Sequence, residues 1–595
     1  MPRNPNKLSQ FWQELKRRRV VHVITVYASA AFVIIELANN LTEPLDLPPG
    51  LATIVIIILA VGFPLAVILS WIYDLSGEGI ERTKSMEELA DEQKTSVPNT
   101  WKIATIVSFL VILVLVTFNI VGSTKKLHAG DIQSLVILPF ENYTGDDQLE
   151  NMVAGMHGLL VGDMSRVGGL RVTGKTTSNT YKNSNLSAPE IAAELNVDAV
   201  VETTVMCWGD SVCIQFRLVS TTGDEEQLWV GDYKEDKSQM LNLSNRITRK
   251  IAEEVMVELS PNQERLLAKT RTVDREALDE YLKARAYFED FRREPLYKAL
   301  EYLNSAIEKE PEWAPLYAGL ANVWIVIQQL GYELPSIATP KIYEYLDKAI
   351  DLDPDLSDSH YLSGLIAHVM EWDWEKSEKE FLKALAINPN DAFSRMLYAQ
   401  LLCILQRNDE AEQQGKLAIS LDPLNPLMLI WHGALLLGIG DCQTPLSYGE
   451  EMVAADPESF IGNNIIEGAA YRCNDYDKVI QAVRYDLPFP IDDDTFNEIE
   501  RIYNEDGLAP AYEVIVKHLE NFASNNPISA MDMSLRYIIA NQPEKAMDWI
   551  EKGYEMRDPQ ITYIATRMYH LDPLFTNPRF IEIVEEMNLS LPNSY

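Results

Sequence analysis

The chain has 595 residues, 47% hydrophobic and 23% charged, and at about 150 residues per domain this length suggests roughly four units. Lysine and arginine total 51 against 88 aspartate and glutamate, a formal net charge of −37; so acidic a chain repels phosphate backbones, which excludes nucleic acid as a partner, and its apolar fraction excludes wholesale disorder. Five cysteines are too few for a disulfide scaffold or zinc-ribbon modules.

Three apolar runs lie before residue 125: Val20–Leu37, Leu51–Tyr73 and Ile103–Gly122. Each is long enough to cross a hydrocarbon core of ~30 Å at ~1.5 Å per residue. They predict a membrane anchor over residues 1–123 with three transmembrane helices, at about 20–40, 51–73 and 103–122. Glu36 reads as a side chain reaching back to the interface. Lys16, Arg17, Arg18 and Arg19 precede the first run, residues 41–50 carry no basic group, and Arg82, Lys84 and Lys94 separate the second and third. The positive-inside rule then keeps the N-terminus inside and puts the region after residue 123 outside, although Lys125 and Lys126 pull weakly the other way.

The tract Phe11-Trp-Gln-Glu-Leu-Lys-Arg-Arg-Arg-Val20, then Gly62-Phe-Pro64 and Trp71-Ile-Tyr-Asp-Leu-Ser-Gly-Glu-Gly-Ile-Glu-Arg-Thr83, resembles the membrane segment of bacterial proteins that carry a TolB amino-terminal-like domain and TPR repeats. In related architectures an adenylate cyclase or winged-helix domain precedes such arrays. About ten residues precede the basic cluster here, so no such output domain is expected. The resemblance implies a multi-pass protein of the bacterial cytoplasmic (inner) membrane, with a cytoplasmic N-terminus and a periplasmic soluble region.

From Ser134 the pattern becomes that of a small α/β domain. Leu135–Leu138 and Leu170–Val172 read as strands, Leu149–Val167 as a helix with Met152, Met156, Leu159, Leu160 and Met164 on one stripe, and Pro189–Leu195 as a short helix. Val197–Trp208 and Ser211–Thr221 flank Gly209-Asp210, a two-residue hairpin signal. Leu228–Tyr233 is a further strand and Ser238–Val257 a closing amphipathic helix. Leu135-Val-Ile-Leu-Pro-Phe-Glu-Asn142, Glu202 with Gly209-Asp-Ser-Val212, and Leu228-Trp229 with Tyr233 resemble the TolB amino-terminal-like (FlgO-type) domain over 132–258. That resemblance implies assembly or interaction and carries over no catalytic residue.

Gly169-Leu-Arg-Val-Thr-Gly-Lys175-Thr176 matches the phosphate-loop pattern letter for letter. A phosphate loop needs its strand before the first glycine and a helix from the lysine onward. Here the strand-like residues lie inside the motif, so Lys175 is expected in a solvated loop. With a two-residue turn, Cys207 and Cys213 would point to opposite faces of the hairpin and remain unbridged. Cys403, Cys442 and Cys473 read as small buried hydrophobes. The eight histidines show no paired metal spacing.

The remainder, 274–595, reads as a TPR helical repeat array with a cap. Ala306 and Pro311, Ala349 and Pro354, Ala384 and Pro389, and Ala418 and Pro423 recur at close to the TPR period, and the small residues Ala284, Ala321, Gly364, Ala399 and Gly433 sit eight positions into each following unit. Gly331–Pro340 is an insertion. Pro543–Pro559 and Asp572–Phe580 look like the closing repeat and cap of the same proteins. The position after each small residue faces inward in such arrays, which brings Arg285, Asn322 and Gln400 to the inner wall, with His368 one turn beyond Leu365. These four are the expected groove contacts to an extended partner segment or its carboxylate.

The expected architecture is thus multidomain: a three-helix transmembrane anchor, a small α/β domain and an all-α TPR superhelix. No nucleophile, metal cage or nucleotide cradle assembles, so no cofactor, metal or catalytic residue is expected and the chain reads as non-enzymatic. The expected function is a membrane-anchored periplasmic scaffold or assembly factor that binds other proteins, of basic character given the charge of −37, with homo-oligomerisation allowed and the bilayer as a further contact. The alternative is a transmembrane signalling component relaying periplasmic binding to a cytoplasmic partner.

Overall fold

The computed structural model describes residues 20–42, 59, 63, 73–76, 79–82, 132–146, 149–221, 226–330, 332–526 and 528–592. The chain divides into two units, Met1–Lys125 and Lys126–Tyr595.

In the first unit, α1 spans Val20–Thr42. The Tyr27 hydroxyl donates to the Leu59 carbonyl at 2.8 Å, and the Tyr27 ring lies 5.6 Å from that of Phe63. Strands β1 (Tyr73–Ser76) and β2 (Gly79–Arg82) form an antiparallel hairpin, so Tyr73 belongs to a strand. Among the described residues no helix is long and apolar enough to cross a membrane. Thr25, Tyr27 and Ser29 set polar groups into the middle of α1, where the Ser29 hydroxyl donates to the Thr25 carbonyl at 2.9 Å. This overturns the three-helix anchor, the multi-pass inner-membrane localisation and the transmembrane relay. The runs at 51–73 and 103–122 lie outside the described residues except for Leu59, Phe63 and Tyr73.

The second unit opens with a mixed sheet in the order β5-β3-β6-β7-β8, where β3 is Ser134–Ile137, β4 Glu141–Asn142, β5 Arg171–Val172, β6 Ala199–Trp208, β7 Ser211–Ser220 and β8 Glu226–Asp236. β3 runs parallel to β5 and β6, β4 prolongs the parallel pairing on β6, and β6, β7 and β8 are antiparallel. Successive side chains leave opposite faces of a strand. Leu135 and Ile137 therefore enter the main core with α2 (Glu150–Met164), and Val136 and Val200 pack against Ala188, Ile191 and Leu195 around α4 (Ala188–Leu195). Between them lies α3 (Lys175–Asn179), and α5 (Met240–Glu254) buries Leu243, Ile247 and Ile251.

The β6–β7 hairpin differs from the two-residue turn. Trp208 faces Val212 and Cys207 faces Cys213, and the register shifts between Val205 and Cys207. Met206 is the bulged residue and stays exposed. One residue of slip puts both sulfurs on one directly opposed pair, and Cys207–Cys213 is a disulfide.

Helix α6 (Pro261–Leu267) leads into stacked helix pairs: α7 (Arg275–Phe288) with α8 (Arg293–Lys309), α9 (Ala314–Gln329) with α10 (Pro335–Leu352), α11 (Ser357–Ile366) with α12 (Trp374–Ile387), α13 (Ala392–Ile404) with α14 (Asn408–Leu421), α15 (Pro426–Ile439) with α16 (Gln443–Ala455), and α17 (Phe460–Cys473) with α18 (Tyr476–Val483). Then come α19 (Asp493–Asp506), α20 (Leu508–Ala523), α21 (Ala530–Ile539), α22 (Pro543–Met556) and α23 (Pro578–Glu586). The pairs close because their crossing points are small: a Cβ on Gly364 would stand 2.8 Å from the Phe381 ring. Pro335–Pro340 forms the first turns of α10. Cys442 and Cys473 are joined as a disulfide across α16 and α17, which corrects their reading as buried hydrophobes; Cys403 is the free, buried cysteine.

Residues 558–571 do not continue the stack. They return along the inner helices as a largely irregular segment with Ile561, Ile564, Ala565 and Leu571 fully buried. Inner side chains hold the backbone of this return segment. Gln406 Nε2 donates to Ala565 O at 2.9 Å, and Arg472 donates to Arg567 O at 3.0 Å and Tyr569 O at 2.7 Å.

Candidate partner-binding cavity

The inner helices α7, α9, α11, α13, α15 and α17, together with α21 and the return segment, enclose a half-open cavity of about 1500 Å³. Its wall is mainly apolar and aromatic, with Phe288, Val323, Leu365, Leu397, Trp431 and Leu437 among its residues. Polar and charged groups, among them Arg285, Asn322, Gln400, Glu467, Asp532 and Arg536, are set into this wall, a mixture that suits a ligand site.

Arg285, Asn322 and Gln400 all line the cavity. Arg285 lies over the Tyr281 ring at 5.8 Å and reaches the Gly158 carbonyl at 3.5 Å. The Asn322 side chain lines the wall from the middle of α9. Gln400 is 3% exposed and its carbonyl accepts from the Tyr563 hydroxyl at 2.9 Å, so it meets the return segment before any partner. His368 is not at the wall. It is fully buried, with Nε2 3.3 Å from the Tyr563 hydroxyl and its ring packed near Trp374 and Phe381, and burial pushes its pKa down to about 3. The π turn Ala367–Glu371, which ends α11, rotates it away from the one-turn spacing on which the inner-wall reading rested.

A charged network absent from the spacing argument borders the same cavity. Arg536 on α21 donates to Asp486 at 2.6 Å and to Glu467 at 3.3 Å, and the Tyr512 hydroxyl donates to Glu467 at 2.6 Å. All of these groups are buried. Burial raises the Asp486 pKa well above the carboxylate range, helped by the neighbouring Glu467 charge. For Glu467 burial acts upward, but the Arg536 charge together with the hydrogen bonds from Asp486 and Tyr512 outweighs it, and its pKa is lowered. The only sequence signal was an arginine among the apolar residues of a short helix.

The phosphate-loop pattern is accounted for differently than expected. A helix does start at Lys175, but it is only five residues long and its N-terminus is already filled. The Asp422 carboxylate accepts from the Thr177 backbone N–H at 2.8 Å, and Gly174 N–H donates to the Leu421 carbonyl at 2.6 Å. A Cβ on Gly174 would stand 2.5 Å from Asp422. A protein carboxylate thus stands where a phosphate would have to bind, and the segment docks the α/β domain onto the α14–α15 corner. Lys175 is not solvated: its side chain is 18% exposed and pairs with Glu289 on the repeat array, and burial lowers its pKa. Behind it His157 is buried, pushed down to about 4, with Nε2 2.9 Å from the Ile137 carbonyl.

No family model matches the chain. Among curated proteins it is similar to "Putative adenylate cyclase 3" of Rhizobium meliloti (strain 1021), at 26% identity over 235 residues. That stretch is 39% of this chain, and the chain spans about 40% of the length of that relative. The relative bears an enzyme's name, and this overturns the reading of the chain as non-enzymatic. Among solved structures, yeast Tom70 is similar at 16% identity, covering 58% of this chain and 81% of that one, with a TM-score of 0.31. A tetratricopeptide repeat protein from Parabacteroides merdae ATCC 43184 is similar at 13% identity, covering 53% of this chain and all of that one, with a TM-score of 0.28. The repeat class rests on the chain's own geometry: antiparallel helix pairs of TPR length, small residues at the crossings, and outer helices that end before proline.

Proposed function

We propose that this chain is a protein-interaction scaffold that takes a segment of a partner protein into the cavity of its repeat array. The observation that carries this reading is the hollow of about 1500 Å³ faced by six inner helices, with a mainly apolar wall into which polar groups are set. Asn322 and Arg285 are the proposed polar contacts. Gln400 contributes its amide N–H groups, and His368 keeps Tyr563, and through it Gln400, in place. The net charge of −37 favours a partner of basic character, captured with some salt sensitivity. The proposed role of 132–258, in line with its resemblance to TolB amino-terminal-like domains, is to brace the array through the Lys175–Glu289 and Thr177–Asp422 contacts. The test is co-purification, with identification of the partner by mass spectrometry, followed by Asn322→Ala in the intact chain. Recovery of the identified partner should fall by roughly fivefold or more, with unchanged helical circular dichroism. Undiminished recovery would move the binding surface out of the cavity.

The cyclase-named relative favours a second reading, in which the chain, or a longer protein containing it, forms a cyclic nucleotide from ATP. Incubation with ATP and Mg²⁺ or Mn²⁺, read as cyclic AMP by mass spectrometry, tests it. Product above a boiled control would support this reading.

A further inference from the structure

Around the return segment, the carboxylates in and beside the cavity wall are matched with hydrogen-bond donors one by one, except for Asp532. Glu467 takes the Tyr512 hydroxyl and Arg536; Asp486 takes Arg536 and the Asn464 amide at 2.8 Å. Asp558 takes the Ala530 N–H at 2.9 Å, the Gln560 N–H at 2.9 Å and the Ser529 hydroxyl at 3.2 Å. Among the described residues, the Asp532 side chain has no hydrogen bond and one long ion pair, to Arg536 Nη1 at 3.8 Å, and that guanidinium is already committed to two other carboxylates. Asp532 keeps 45% of its side-chain surface open, yet it stands in the cavity wall inside the superhelix, where burial raises its pKa. A second unmatched group shares the wall. His570 is 7% exposed, its Nε2 has no partner among the described residues, and burial pushes its pKa down to about 4, so the ring is neutral and can accept an N–H. The two lie in one neighbourhood: the charges of Asp532 and Asp558 both bear on Tyr569, and those of Glu467 and Arg536 on His570. Leu535, Ile465, Leu437 and Tyr563 complete the wall.

We infer that the cavity seats a lysine or arginine side chain of the partner at Asp532, with the flanking apolar residues of the same segment against the aromatic wall. An ionised carboxylate in a low-dielectric pocket is costly unless a cation meets it, and a cation with an apolar stem fits both the charge and the wall. The His570 ring supplies a neutral acceptor for a further N–H. This inference rests on the reading of the cavity as the partner's seat. A free diamine carries the same charge but lacks the flanking apolar groups.

The probes are two fluorescein-labelled hexapeptides, Leu-Lys-Phe-Leu-Arg-Phe and its counterpart with glutamate at both basic positions, titrated onto the full chain by anisotropy. The basic peptide should bind about tenfold tighter or more than the acidic one. Asp532→Asn should abolish that preference, and Asp532→Glu, which keeps the charge, should retain it. Cadaverine should compete poorly, because it brings no apolar flank. An equal affinity for the two peptides, binding of neither, a preference that survives Asp532→Asn, or displacement by cadaverine as effective as by the peptide would overturn the assignment. The two readings fail separately. If recovery of the natural partner still depends on Asn322 while the peptides show no charge preference, the cation seat falls and the cavity remains. If neither dependence is seen, both fall.

Discussion

Arg536→Met would remove the positive centre of the buried network while keeping an apolar stem of similar length. Arg536 is 2.6 Å from Asp486 and 3.3 Å from Glu467, and all three side chains are nearly sealed from water. Breaking a buried pair by deleting one partner costs about 3–5 kcal/mol, since the remaining charge is left uncompensated. Repeat arrays open in parts, so a global melt would dilute the effect. Hydrogen exchange in α17 and α21 is the proper assay, and protection there should fall by about 3 kcal/mol, roughly 150-fold, with little change in α7–α10. The pH dependence identifies the mechanism. Without Arg536, the largest of the influences that lower the Glu467 pKa is gone, and burial, which raises it and is larger still, remains. The folded-state pKa should then move upward, past the unfolded value of about 4.3 if burial outweighs the remaining hydrogen bonds, so that the folded variant binds the extra proton and acidification stabilises it relative to the unfolded state. The deficit against the parent protein should therefore shrink between about pH 7.5 and about pH 5. A loss below about 1 kcal/mol, or an equal loss at both pH values, would refute the account of the network as a charge-compensated cluster.

Gly364→Ala should destabilise α11–α12 by about 1–3 kcal/mol, because its Cβ would press on the Phe381 ring; local exchange or a shifted melt reads this. Cys442→Ser should lower stability under oxidising conditions by up to about 3–4 kcal/mol, since the bond closes a loop of 31 residues, and added dithiothreitol should then have no further effect through this site. Gly174→Val should push Asp422 off the N-terminus of α3, seen as faster exchange at 174–178 and 421–426 together, while exchange in α20 stays unchanged. His157, His432 and His570 have folded-state pKa values pushed down to about 4, against about 6.5 unfolded. The unfolded chain therefore binds more protons below about pH 6.5, and stability should fall as pH drops from there toward 4, a loss absent above pH 7. A flat denaturation midpoint across that window would contradict the burial of these rings.

The repeat boundaries are legible because proline cannot continue a helix. Helices α8, α10, α12 and α14 end at Lys309, Leu352, Ile387 and Leu421, each two residues before Pro311, Pro354, Pro389 and Pro423. The inner-wall position is equally readable at Arg285 and Asn322, where helical spacing is regular. It fails at His368, where one π turn adds a residue to the count. The hairpin register was beyond reach because a bulge at Met206 leaves no mark in alternation over so few residues. The Arg536 network joins residues 50 and 69 positions apart, and Lys175 meets Glu289 across 114, so no local pattern could pair them. The return segment lacks helical period, and its burial comes from the helices that it crosses.

That return segment also changes how the array behaves as a mechanical and folding object. An ordinary repeat solenoid is a chain of nearest-neighbour contacts that can fray from either end, one unit at a time. Residues 558–571 act as a chord across this one, touching His368, Gln400 and Gln406, Gly438 and Arg472 in four separate repeats. Fraying at the α21–α22 end must break contacts with units far up the stack, so the inner repeats open together and not in sequence. During synthesis the same chord arrives after the units that it binds. Their inner faces stay wet until residues 558–571 have emerged, and the solenoid becomes a spring held at fixed pitch only when that segment has been laid in.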